Sequence, residues 1–246
     1  MTYCVGLRLK SGLVVLADTR TNAGVDNIAT FCKLHVVEVP GERMICLATA
    51  GNLAITQAVV ALVSEGFESA ESGTMETLSK APSMFRAAQI VGEAVRKVYD
   101  THGEAMRAQQ VGFDVALLLA GQIKGRSSRL YQIYSAGNFI EATEDTPFLQ
   151  IGEHKYGKPI LDRAARYDTE LYDAIKLVLV SMDSTLRSNL TVGMPVDLLV
   201  YKNDALAVDI RRRIGEEDPD FRELRELWST ALREAYLAIP RPDWAS

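Results

Sequence analysis

Strand-like alternation begins at the third residue of this chain. Tyr3, Val5, Leu7 and Leu9 alternate with Cys4, Gly6 and Arg8, which is a period of two. Lys10-Ser11-Gly12 reads as a tight turn and residues 13–17 as a buried return strand. The pattern therefore predicts a hairpin that starts almost at the N-terminus. First residues are usually loose, so an N-terminus tied directly into a sheet needs a reason.

Further strands and helices follow in groups. A polar stretch, 18–30, leads to a second strand pair over 34–39 and 44–49, joined by Pro40-Gly41-Glu42. Ala50-Gly51-Asn52 closes that pair and opens an apolar helix over 53–64. A second helix is expected over 82–101, with Ile90, Ala94, Val95 and Val98 at helical spacing. Strands return over 113–120 and 130–135, and helical periodicity over 169–186. Two strands are expected over 196–201 and 205–210, separated by Lys202-Asn203-Asp204. The order is strands, two helices, strands, two helices, strands. Grouped elements favour an α+β layered domain over alternating βαβ units.

No repeat or linker divides the 246 residues, and 48% hydrophobic content can fill one sizeable core, so a single domain over 1–246 is expected. Phe221, Leu224, Leu227, Trp228, Leu232 and Tyr236 form a helical stripe over 220–237. It reads either as packed on its own domain or as part of a subunit interface. A net charge of −5 gives no basic footprint for nucleic acid. No secretory leader pattern and no bilayer-length apolar run are visible, so a chain without a membrane partner, working in the cytoplasm, is expected. Cys4, Cys32 and Cys46 are scattered without a CxxC pair and read as small buried hydrophobes. His35, His102 and His154 lack metal-ligand spacing, and neither a GxxxxGK[ST] loop nor a GxSxG elbow occurs.

Thr2 follows the initiator methionine. Removal of Met1 would leave a hydroxyl and a free α-amine on one residue. An amine with an ordinary value of about 8 is partly neutral at cellular pH and can act as base for its own hydroxyl. A nearby cation would tune that pair, and a carboxylate would hold the cation. Asp18 ends the return strand and Lys33 precedes the third strand. Each alone reads as a solvated strand-end charge; together they could converge on the start of the first strand.

Thr2, Ala17-Asp18-Thr19-Arg20, Lys33-Leu34 and Ala50-Gly51, in this order and spacing, resemble a β-type proteasome subunit. Met-Thr-Tyr-Cys-Val, Asp-Thr-Arg-Thr-Asn-Ala-Gly-Val-Asp and Ser-Thr-Leu-Arg-Ser-Asn are similar to signatures of its bacterial Anbu subgroup. The resemblance is strongest over 2–60 and 176–201. It implies the four-layer αββα sandwich of N-terminal-nucleophile hydrolases. It also implies amide hydrolysis with Thr2 as nucleophile, Lys33 tuning it, Asp18 orienting Lys33 and the Gly51 N–H meeting the oxyanion. Arg20 would support the Asp18 loop. The family's Asp–Ser pair near the nucleophile would be replaced by Ser188 and Asn189. Its Gly-Ser-Gly would be replaced by the run Ile151-Gly152-Glu153-His154, where Glu153 and His154 read as ordinary loop residues.

No metal or organic cofactor is implied. The resemblance implies a homo-oligomer, as a ring or an open helical assembly, acting on peptide or unfolded protein; it names no unfoldase partner. Two alternatives stay open: a silent or weakly active scaffold subunit, and an amidase for a non-protein or isopeptide amide.

Overall fold

The computed structural model describes residues 2–22 and 27–245. The N-terminal hairpin is β1 (Tyr3–Leu9) and β2 (Gly12–Asp18), followed by a small ribbon of β3 (Arg20–Asn22) and β4 (Ile28–Thr30). Next come β5 (Leu34–Val39), β6 (Arg43–Gly51), α1 (Leu53–Glu65), the two-residue strands β7 (Phe67–Glu68) and β8 (Met75–Glu76), and α2 (Met84–Ala108). The second half contains β9 (Val115–Ile123), β10 (Arg129–Ile133), β11 (Phe139–Glu141), β12 (Phe148–Gly152), α3 (Lys158–Ala164) and α4 (Leu171–Ser188). It ends with β13 (Val196–Lys202), β14 (Ile210–Ile214) and α5 (Pro219–Ala238).

Two five-stranded antiparallel sheets carry the fold, ordered β12-β1-β2-β13-β14 and β11-β10-β9-β6-β5. Their side chains sort into three apolar layers. Leu13, Val15 and Ala17 of β2 meet Met44, Cys46 and Ala48 of β6 between the sheets. Val14 and Leu16 point the other way, against Val178 and Met182 of α4. On the far side, Leu117 and Leu119 of β9 pack against Val91 and Val95 of α2. The result is an α/β/β/α stack in which both faces of β1 and β2 are buried. That explains why residues 13–17 are apolar throughout rather than alternating. Gly6 fits this squeeze, since a Cβ there would lie 2.9 Å from Leu130 Cδ1 of the opposite sheet.

Local signals set the helix starts. Asn52 Oδ1 accepts the Ala54 N–H at 3.0 Å and Ser83 Oγ the Arg86 N–H at 3.0 Å, both N-caps. The strand expected over 205–210 instead begins at Ile210, because Asp204 and Leu206 adopt left-handed φ values of 65° and 51° and turn the chain. In β14, Arg211, Arg212 and Arg213 hide the alternation; Arg213 pairs with its cross-strand neighbour Asp197 at 2.7 Å. Two of the three cysteines are buried as expected, and burial pushes Cys46 up to about 12. Cys32 is exposed, because it lies in the turn before β5 rather than within a strand.

Helix α5 is held to the stack at its first turns. Phe221 is buried against the helix-side core, and Asp183 of α4, 1% exposed, receives Arg225 Nε at 2.6 Å. Among the described residues no helix is long and apolar enough to cross a membrane. Phe221→Ala should cost about 3 kcal/mol of docking. Limited proteolysis should then cut within α5 while the two sheets stay resistant.

Candidate active site

Strand ends from both sheets meet at Thr2. The β1–β2 register pairs Cys4 with Ala17, which brings the Tyr3 N–H to Asp18 Oδ1 at 3.0 Å. The β5–β6 register pairs Leu34 with Ala48, and Thr49 N–H donates to the Lys33 carbonyl at 3.0 Å. Lys33 is thereby aimed from the second sheet at the end of the first. Its ammonium is 4% exposed and uses its three donors on Thr2 Oγ1 (2.8 Å), Asp18 Oδ1 (2.8 Å) and the Arg20 carbonyl (2.6 Å). Asp18 is fully buried, and its second oxygen accepts the Gly193 N–H at 3.3 Å. Burial raises the Asp18 carboxyl above its ordinary value; the Lys33 ammonium and the two backbone donors oppose that rise.

Two glycines back Thr2 and its partners. Glu153 N–H donates to the Thr2 carbonyl at 2.6 Å. Gly152 has φ +81°, and a Cβ on it would fall 2.0 Å from that carbonyl. At Gly193 a Cβ would fall 2.1 Å from Arg20 Nε, so the guanidinium lies flat against the loop that binds Asp18. Arg20 also donates to the Leu190 carbonyl at 3.2 Å. A cleft of about 390 Å³ opens in front of Thr2, bordered by Asn22, Lys33, Thr49, Gly51 and Asp114. Gly51 has φ +109°, and its Cβ would meet the Asp114 carbonyl at 2.3 Å, so only glycine fits the turn there.

The structure brings Thr2, Asp18, Lys33 and Gly51 to one place, with Arg20 behind them. Asn189 is buried close by, but Ser188 ends α4 with its side chain exposed and stands apart. Glu153 is not an ordinary loop residue. It is 5% exposed, and its carboxylate accepts Asn189 Nδ2 and the Lys155 N–H, each at 2.7 Å. Burial alone would raise Glu153; the Lys155 N–H, the Asn189 amide and the His154 N–H outweigh it and hold the carboxyl below its ordinary value. His154 is exposed, in keeping with a loop residue. Tyr3 is a further residue not singled out: its hydroxyl lies 2.5 Å from Ser181 Oγ and accepts Gln150 Nε2 at 2.9 Å, which pins the start of β1. Met1 and residues 23–26, part of the loop after Arg20, lie outside the described residues.

An oxygen nucleophile facing a cleft, with a buried cation between it and a carboxylate, can attack an electrophilic carbon and have its charge stabilised. The pair also makes a stability prediction. Lys33→Met leaves Asp18 buried without its cation, which should cost about 3–5 kcal/mol at neutral pH. The folded chain then binds the Asp18 proton more tightly than the unfolded one. Relative to the parent, the deficit should therefore grow as pH rises above the parent's own Asp18 value, itself above the ordinary 3.8, and shrink on acidification. Denaturant titrations of variant and parent at several pH values measure it.

Comparison with known proteins gives the family. The proteasome subunit family matches residues 2–200. A solved structure of an Anbu (Gly-1) mutant from Hyphomicrobium sp. strain MC1 is 54% identical, covering 99% of this chain and 100% of that one, with a TM-score of 0.90. Anbu (ancestral beta-subunit) from Yersinia bercovieri is 46% identical over 98% and 99% of the two chains, with a TM-score of 0.89. The helical assembly of the Anbu complex from Pseudomonas aeruginosa contains a chain 45% identical over 99% of each, with a TM-score of 0.90. No curated protein matches. With the fold, the ordered strand ends and these likenesses in agreement, the chain belongs to the proteasome subunit family, as an Ntn-type subunit of the Anbu (ancestral beta-subunit) group.

Proposed function

We propose that the chain is a threonine peptidase subunit that hydrolyses amide bonds with Thr2 once Met1 is removed. The observation that carries the reading is the single ammonium of Lys33 placed 2.8 Å from both Thr2 Oγ1 and Asp18 Oδ1. A cation so placed favours the neutral form of the freed Thr2 amine and steadies negative charge growing on Oγ1.

The steps follow from those positions. The amine takes the Oγ1 proton as Oγ1 bonds to the substrate carbonyl carbon. The carbonyl oxygen, now anionic, lies on the Gly51 side of the cleft, where a backbone N–H meets it without an obstructing side chain. The C–N bond breaks, the departing nitrogen carries off the proton, and an ester on Thr2 remains. Water then loses a proton to the same amine and attacks the ester, which restores the hydroxyl and releases the acid. No step needs a metal or an organic cofactor.

Assembly belongs to the same reading. Beyond its first turns α5 leaves Leu227, Leu232, Tyr236 and Leu237 between 49% and 73% exposed, more apolar surface than a lone chain usually shows on one helix. A related Anbu complex forms a helical assembly. We infer that copies of this chain associate, as an open helix or a ring, and that peptide or unfolded protein reaches Thr2 within the assembly.

The intact mass of the purified protein, before and after an electrophile selective for N-terminal threonine, tests the function. Loss of Met1 and a single adduct are expected. Thr2→Ala should abolish the adduct and lower peptide hydrolysis by about 10³-fold or more. A processed chain that takes no Thr2-dependent adduct would make it a silent scaffold. An adduct with turnover of small amides but not peptides would make it an amidase.

A further inference from the structure

Two loops far apart in sequence meet behind the nucleophile. One follows β12: it gives the Glu153 N–H to the Thr2 carbonyl at 2.6 Å. The other follows α4: it gives the Gly193 N–H to Asp18 Oδ2 at 3.3 Å. They are joined by Asn189 Nδ2, which donates to Glu153 Oε2 at 2.7 Å. We propose that Glu153 and Asn189 are a positioning pair that locks the loop holding Thr2 to the loop holding Asp18, and so keeps the attacking oxygen in register with Lys33.

The hydrogen bonds have a fixed sense. Asn189 Oδ1 accepts both the Thr191 N–H (2.9 Å) and Thr191 Oγ1 (2.6 Å), which turns the Asn189 NH₂ towards Glu153. Both Glu153 oxygens face N–H donors, Asn189 on one side and Lys155 on the other. Only an acceptor with two oxygens satisfies both, and a carboxylate is the side chain that has them. A carboxylate 5% exposed is costly unless it is this well provided with donors. A surface loop would not need one. The 189–193 loop is further tied to the strand bordering the cleft, since Asn22 Nδ2 donates to the Thr191 carbonyl at 3.0 Å. A shift of either loop therefore moves one half of the Thr2–Lys33–Asp18 arrangement against the other.

The pair can be broken and then rebuilt with its charge on the other side. Glu153→Gln sets an NH₂ against one of two donors. Asn189→Asp sets a carboxylate against a carboxylate. In the double variant the new amide donates to the new carboxylate and still accepts from Lys155, while the carboxylate's other oxygen accepts from Thr191. Every group is again satisfied.

The test compares parent, both single variants and the double variant in two readouts. The first is amide exchange at Glu153 and Gly193, which follows the lock without reference to activity. The second, which rests on the peptidase reading, is the rate at which the electrophile modifies Thr2, with its reversible binding measured separately. Each single variant should speed exchange at both amides and slow modification by about tenfold, with binding unchanged. The double variant should return both readouts to within about threefold of the parent. Faster exchange only in the substituted loop would overturn the proposal. So would an equal rise in the β2 core, or a double variant no better than the worse single one. A parent that never reacts at Thr2 would instead sink the peptidase reading, and the exchange data would still decide the pair.

Discussion

An ammonium that is almost wholly out of water needs an acceptor for every N–H, and Lys33 finds its three on Thr2, Asp18 and Arg20. These belong to the first strand, the second strand and the ribbon after it, while Lys33 itself arrives from the opposite sheet. One side chain therefore stitches the two sheets together at the point where Thr2 sits. Burying a charge is unfavourable unless it is paired and fully hydrogen-bonded. That requirement ties the site's geometry to the packing of the whole stack.

The rest of the fold supplies that packing. Apolar residues on both faces of β1 and β2 trap the hairpin between the other sheet and α4, so the start of β1 is held fast. Three glycines then let backbone approach where a Cβ would collide: Gly152 on Thr2, Gly193 on Arg20 and Gly51 on Asp114. Each lies at the end of a strand or in a loop. The site is thus built at the rim of a rigid double sheet, where strand registers set positions to within a hydrogen bond and loops adjust the remainder.

Much of this was legible locally. The hairpin from residue 3 follows from period-two alternation, and once its register is known Asp18 must sit beside Tyr3. The register of the second hairpin likewise sets Lys33 beside the Thr49–Gly51 strand end, but only the stacking of the two sheets brings that end onto Thr2. The partners from the second half were harder to see. Glu153 carries no local pattern that separates it from a solvated loop carboxylate, and its burial depends on Asn189, 36 positions away. Ser188 and Asn189 are adjacent, yet one residue turns a helix end by about 100°, so only Asn189 faces inward. The last strand was expected over 205–210 rather than at Ile210–Ile214, because the central arginines of β14 obey a salt bridge rather than a hydrophobic face.

By itself, the sequence determined the layered α+β order, the hairpin at the N-terminus and the candidacy of Thr2, Asp18, Lys33 and Gly51. The order and the hairpin rest on short-range periodicity and turn residues, and the roles of the four residues on the resemblance to a β-type proteasome subunit. Only the tertiary structure decided that Lys33 spends all three donors on one site, that Glu153 rather than Ser188 stands behind Thr2, and that Gly152 and Gly193 allow the close approach. Those outcomes depend on contacts between segments as much as 175 residues apart, such as Asp18 and Gly193. Such contacts are selected by the burial and hydrogen-bond needs of polar groups, which leave no periodic trace in the chain.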